Sequence, residues 1–344
     1  MEAIVAAQQS YAEIVTRLNR ASVSKHFDAY IDVPWDEPTA QLDVHDPRWE
    51  LASDDPLGAT SWYRSRRPEA RARIGLGFIA YAMRRGMEFE NVLSRGLLEF
   101  AMTRPRGSTD FRYAYHELIE EGQHSLMFQE FVNRAACDVP RMAPFQRFFA
   151  RRVPGLARSF PELFFLYVLA GEMPIDQTQR TWLRRGEALH PLVRKIMQIH
   201  VSEEARHVCF AQKYLAAHVP KLSTARRLQL QWMAPFICAE TAKLMLAPPH
   251  AFTRSLGIPR WVMADVYTSR CHESFMTAAV QPLYETLEKL QLVTPTTAPV
   301  WQLLGLGSRA IPMFGADHAA QAPRPRELQN ALTQGSQNAR DCAR

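Results

Sequence analysis

The sequence lacks the features that would place it in a membrane, in a disulfide scaffold or on nucleic acid. No apolar stretch approaches the roughly 20 residues that span a bilayer; the longest candidate is FFLYVLAG at 164–171. Cysteine is scarce. Cys137, Cys209, Cys238, Cys271 and Cys342 are widely spaced, odd in number and never form CxxC, which argues against a disulfide framework and against a thiolate zinc site. The opening MEAIVAAQQSYAEIVTRLNR has no basic segment followed by an apolar core and a small-residue cleavage site, so no secretory signal is read and a cytoplasmic protein is expected. Long alternating strand patterns are missing, as are helix-turn-helix, zinc-finger and RNP patterns and any flavin or nicotinamide fingerprint. The net charge of +6 comes from arginine-rich stretches such as WYRSRRPEARAR and reads as a solvated basic face. Neither a nucleic-acid nor a membrane partner is expected.

What the sequence does have is helical periodicity, from about residue 67 to about 290, so the fold class is all-α. Helices are predicted at about 68–103, 109–137, 142–153, 159–174, 177–189, 191–218, 222–247 and 259–291. They are separated at Pro105 and Gly107, Pro140, Pro154 and Gly155, Pro174, Pro191, Pro220, and Pro248 with Pro249, because proline cannot donate within a helix. Residues 33–62, rich in Pro, Asp and Trp, read as an irregular arm laid over the helices, its tryptophans packing on the bundle. One domain is expected over 1–315. Residues 316–344 lose the apolar periodicity and read as a flexible tail.

Within these helices certain acids and histidines fall on one face. His200, Glu204 and His207 are spaced by four and three positions, so one helix offers three potential metal ligands. A second Glu-x-x-His, Glu121 with His124, lies in mid-helix in YHELIEEGQHSLMF. A third, Glu187 with His190, is discounted as a helix end because Pro191 follows it. Carboxylate-bridged di-iron sites in helical bundles take a Glu from each of two helices and Glu-x-x-His from each of two others. Glu172, ending the apolar run FFLYVLAGEMP, supplies one lone Glu. Glu90 supplies the other in preference to Glu88, because it keeps phase with Leu93, Leu97 and Leu98. Oxygen and imidazole donors without thiolate suit iron, or less well manganese. Glu120 and Glu203, one position before Glu121 and Glu204, are assigned to hydrogen-bond the metal-bound histidines from behind.

EFENVLSRGLL, IEEGQH, AGEMPID and HVSEEARH together resemble the bacterial non-haem di-iron N-oxygenases typified by p-aminobenzoate N-oxygenase. The additional histidine, His200, is similar to that family's trait. The resemblance implies a ferritin-like (ribonucleotide-reductase-like) helical bundle with extra helices and the N-terminal arm, assembled as a homodimer. It implies two iron ions held by Glu90, Glu121, His124, Glu172, His200, Glu204 and His207, with Glu121, Glu204 and His200 acting in catalysis. Reaction with O2 would give a peroxo-bridged di-iron(III) species that oxidises an amine, often an arylamine, to hydroxylamine, nitroso or nitro product, as in secondary metabolism. Electrons would come from an external donor, a ferredoxin, a reductase or a small reductant. Arg270 and Arg309 are candidates for a substrate carboxylate, and Phe89, Met127, Phe164 and Met173 are expected in the core. Two alternatives stay open: a C-hydroxylase or desaturase acting on a small or carrier-bound substrate, and a ferritin-like iron-binding protein.

Overall fold

Prolines and hydroxyl side chains set where the helices begin. In the computed structural model, which describes residues 2–306, the α-helices are α1 (Glu2–Ser24), α2 (Ser61–Arg64), α3 (Pro68–Ala101), α4 (Thr109–Ala135), α5 (Pro144–Ala150), α6 (Val153–Ser159), α7 (Pro161–Leu183), α8 (Pro191–His218), α9 (Thr224–Leu246), α10 (His250–Ser255), α11 (Arg260–Thr268), α12 (Arg270–Lys289) and α13 (Ala298–Leu303). No strand occurs among the described residues. Proline opens α3, α7 and α8, where its missing N–H would have had no helical partner anyway. Ser108, Ser223 and Ser269 cap α4, α9 and α12 by accepting from the N–H of Phe111, Arg226 and His272. No helix among the described residues is long and apolar enough to cross a membrane.

Several boundaries differ from expectation. The segment 142–153 is not one helix: Pro154, tolerated only in a first turn, opens α6 after α5 has ended. Conversely, the helices expected at 159–174 and 177–189 are the single helix α7, with Pro174 inside it. Proline deprives the Ala170 carbonyl of its helical donor, but Ala170, Gly171, Glu172, Met173 and Pro174 are all buried, and packing outweighs that local loss. Glu172 consequently lies in mid-helix. The helix expected over 259–291 is divided at Ser269, which ends α11 and caps α12. Helix α1 was not anticipated, although Val15, Leu18 and Ser22 point into the protein at helical spacing. The segment 33–60 is irregular, with short 3-10 turns at Pro38–Ala40 and Pro47–Trp49, and α2 begins at Ser61. Its Trp35 and Trp49 are buried and donate their indole N–H groups to the carbonyls of Ala29 and Asp43. The tail expected at 316–344, and Arg309, lie outside the described residues.

Helices α3 and α4 pack as one pair and α7 and α8 as another, and contacts of α3 with α7 and of α4 with α8 join the pairs. The α3/α4 pair is antiparallel, since Arg84 meets Gln129 while Glu90 meets Ser125. Two glycines set the α3/α7 approach: the Phe89 ring lies against Gly171 and the Phe164 ring against Gly96, each where a methyl group would overlap it. Helix α1 covers α4 and α8, while α9 and α12 cover α7. One apolar cluster, around Phe100, Phe165, Phe210 and Tyr214, fills one end of the bundle. A second, around Met83, Met127, Phe128 and Met197, fills the other. Polar side chains occupy the layer between them.

Candidate metal centre

Each of the four central helices contributes to that layer. Glu90 comes from α3, Glu121 and His124 from α4, Glu172 from α7, and His200, Glu204 and His207 from α8; every one is at most 2% exposed. They form three overlapping groups, within each of which one donor atom per residue lies within 4.8 Å of the others. The first is Glu121, His124, Glu204 and His207, the second Glu90, His124 and His200, and the third Glu172, His200 and Glu204. Because His124, His200 and Glu204 each belong to two groups, the arrangement offers neighbouring cation positions rather than one. The Glu-x-x-His spacing brings its two members together on both helices: His207 Nδ1 lies 3.2 Å from Glu204 Oε2, and His124 Nδ1 3.5 Å from Glu121 Oε2. His207 Nδ1 also lies 2.9 Å from Glu121 Oε1, across the two helices.

The preceding acids act crosswise. Glu203 on α8 lies 2.9 Å from His124 Nε2 on α4, and Glu120 on α4 lies 2.7 Å from His207 Nε2 on α8. Each carboxylate is placed to accept the outer ring N–H, which turns Nδ1 of both histidines inward, where it offers a lone pair to a metal that displaces its proton. Arg206 sits between the two acids, its Nη2 2.8 Å from Glu120 and 3.4 Å from Glu203, and also donates to the Lys25 carbonyl just beyond α1. His200 is held differently, with Nε2 3.3 Å from Glu90 and its ring stacked on Phe128 at 5.1 Å. Ser125 donates to the other oxygen of Glu90. Glu88 faces away from the cluster, bound to Arg85 and to the Met142 N–H. The Glu187 and His190 pair is also apart from it: Glu187 pairs with Arg194, while His190 caps α8 and stacks on Trp49 at 3.9 Å.

Three participants were missed at the level of sequence. Glu117, one helical turn before Glu121, is buried with neither oxygen hydrogen-bonded. Tyr113, a further turn back, has a buried hydroxyl without a partner. The spacing of four from Tyr113 to Glu117 and from Glu117 to Glu121 was the available signal. The third is Arg206, inside EEARH itself. Phe89, Met127, Phe164 and Met173 are core residues as expected. Arg270 is exposed at the start of α12.

The charge balance tests whether cations fit. Glu90, Glu117, Glu120, Glu121, Glu172, Glu203 and Glu204 are all buried here, with Arg206 as the guanidinium among them. Such an excess of buried acid is sustainable only with protons or metal ions. Without metal, protons are held: burial, reinforced by Glu121, raises Glu90 well above the ordinary carboxylate range, and burial with Glu204 does the same to Glu172. Burial pushes Glu117 up to about 8. Glu120 goes the other way: burial alone would raise it, but the hydrogen bond and charge of His207, with Arg206, bring it down to about 2. Buried atoms without hydrogen-bond partners, namely Glu172 Oε1, Glu204 Oε1, His124 Nδ1 and His200 Nδ1, belong to the same side chains. The donor set of oxygen and imidazole fits iron or manganese.

A pH signature follows. A carboxyl raised in the fold keeps a proton that the unfolded chain has lost, so the metal-free protein should lose stability as pH rises from the ordinary carboxylate value near 4.5 to about 8. Metal uptake displaces those protons and should strengthen over the same window. Melting curves of metal-free and iron-loaded protein from pH 5 to 8 are expected to diverge with rising pH; parallel curves would contradict the assignment of these carboxyls.

Four central helices around a buried carboxylate and histidine layer define the class as an all-helical, ferritin-like protein of the di-iron type. The family model described as p-aminobenzoate N-oxygenase AurF matches residues 8–291. An uncharacterized protein of Mycobacterium tuberculosis (strain ATCC 25618 / H37Rv) and another of Mycobacterium bovis are each 39% identical over 263 residues, covering 76% of this chain and 77% of theirs. The chain belongs to the p-aminobenzoate N-oxygenase AurF family.

Proposed function

We propose that the protein is an O2-dependent di-iron monooxygenase that oxidises an amine nitrogen. The observation that carries this reading is the overlap of the three donor groups through His124, His200 and Glu204. Glu90, Glu121, His124, Glu172, His200, Glu204 and His207 would hold two iron ions. Iron bound there would supply the activation of O2. The chain's own residues do the rest. Glu120 and Glu203 fix the tautomer of His207 and His124, and Arg206 fixes both acids. The apolar clusters above and below exclude water. Oxidation of R–NH2 to R–NHOH places one oxygen atom of O2 on nitrogen and the other in water. That stoichiometry consumes two electrons and two protons, which an external donor must supply. Later oxidations would continue towards nitroso and nitro products.

The test is an assay of purified protein loaded with iron, supplied with O2, a reductant and a panel of primary amines. About two irons per chain and N-oxidised products are expected. Products hydroxylated at carbon, or iron uptake without turnover of any amine, would overturn the reading.

A further inference from the structure

The rows of residues that carry the metal-binding candidates do not stop at the polar layer. Phe128 lies one turn beyond His124 on α4, Gly86 one turn from Glu90 on α3, Ile175 three residues after Glu172 on α7, and Met197 three before His200 on α8. All four line a small cavity of about 40 Å³. Phe128 stacks on His200, so this cavity forms the next layer of the bundle. Gly86 has a structural part in it, since a Cβ there would come within 2.8 Å of the Phe128 ring.

A second cavity, of about 160 Å³, continues outward and shares Ala82, Thr178, Trp182, Met245 and Leu246 with the first. Its walls include Phe78, Ile79, Tyr81 and Met263, and its volume is close to that of an apolar cavity known to admit a single benzene ring. The inner cavity is a neck, with room for an amino group and little more.

Charge and hydrogen bonding narrow the occupant. Asp54, Asp55, Arg185 and His272 border the outer chamber. Arg185 faces both aspartates and is engaged with the carbonyls of Glu50 and Ala188, and burial holds His272 below its ordinary value. A carboxylate in the chamber would therefore compete with two aspartates for one guanidinium, whose Nη2 is already engaged. In the neck, Thr178 has given its hydroxyl to the Pro174 carbonyl. Gln179, 5% exposed, has a buried side-chain oxygen with no partner. It is an acceptor waiting for a donor.

We propose that the joined cavities are the substrate site and that they select a carboxylate-free amine. Its ring-sized apolar body fills the outer chamber, and its N–H donates to Gln179 in the neck beside Phe128 and His200. The amine in this assignment rests on the function proposed above; the cavity, its polarity and the Gln179 acceptor do not.

The test is calorimetric titration of the iron-loaded protein without O2, using 4-ethylaniline and 4-aminobenzoate as probes. 4-Ethylaniline is expected to bind at least about tenfold more tightly, since a desolvated carboxylate beside Asp54 and Asp55 would lose more than about 1.4 kcal/mol. Ala82→Phe and Leu246→Phe, which fill the junction from two different helices, should each weaken 4-ethylaniline binding about tenfold or more with iron content unchanged. Gln179→Leu should weaken it roughly three- to tenfold. Equal or tighter binding of 4-aminobenzoate, no binding of 4-ethylaniline, or unchanged binding in an iron-replete junction variant would overturn the proposal. Should 4-ethylaniline bind as expected and emerge without nitrogen oxidation once O2 and reductant are added, the amine-oxygenase reading fails while the pocket stands.

Discussion

His207→Ala is expected to reduce the iron content from about two per chain to below one and to abolish amine oxidation. The imidazole is tied on both sides, with Nδ1 2.9 Å from Glu121 and 3.2 Å from Glu204 and Nε2 2.7 Å from Glu120. Its loss therefore removes a donor atom and also leaves the carboxylate behind it with Arg206 alone. Glu120→Gln should be milder: the ring remains in place with a neutral acceptor, and iron affinity should fall roughly 10- to 100-fold, the range for a supporting partner of a metal ligand. Glu121→Gln should resemble His207→Ala. Iron titration of the three variants checks the order, and a larger loss in Glu120→Gln than in Glu121→Gln would mean that the two acids have exchanged roles.

Arg206→Met is expected to destabilise the metal-free protein by about 3–5 kcal/mol, the cost of removing one partner from buried ionic groups. Arg206 is 2% exposed and meets both Glu120 and Glu203. Without it two buried carboxylates keep only their histidines. Adding Glu120→Gln to Arg206→Met should recover part of the loss, because one of the stranded charges is then gone. Urea unfolding of the single and double variants measures both effects. A midpoint for Arg206→Met equal to that of the parent would show that the guanidinium is not needed to balance the acids.

The helices carrying the site were legible because their boundaries are local. Proline at the start of α3, α7 and α8 and the Ser108 cap of α4 are chemical signals that need no tertiary knowledge. The positions of Glu90, Glu121, His124, Glu172, His200, Glu204 and His207 were legible for a related reason, since a spacing of three or four marks one helical face. Pro174 misled because its local cost is small beside the burial of α7 on several sides, a quantity no local pattern contains. The crosswise pairing of Glu120 with His207 and of Glu203 with His124 was not legible either. Within each helix the acid precedes its own Glu-x-x-His motif, and only the approach of α4 to α8 directs it to the other helix's histidine. Arg206 was overlooked because an arginine in a charged stretch ordinarily faces water, and its two partners are united only by that same approach. Glu117 does fall on the visible face, but a fourth acid or histidine position on α4 has no place in the expected ligand pattern.

The continuity of the four residue rows from the polar layer into the cavities constrains how such a protein can change. Inserting one residue between Ala82 and Glu90 would turn the cavity wall on α3 by about 100° relative to the carboxylate, and the other three helices would gain no matching turn. Length variation in these segments is thus closed to evolution, whereas exchanges of size at Ala82, Gly86, Ile175, Trp182 or Leu246 leave the register intact. New substrate preferences in this lineage should arise by altering side-chain volume along these fixed helices, or by changes in the arm residues, such as Asp54, Asp55 and Leu57, that close the outer chamber.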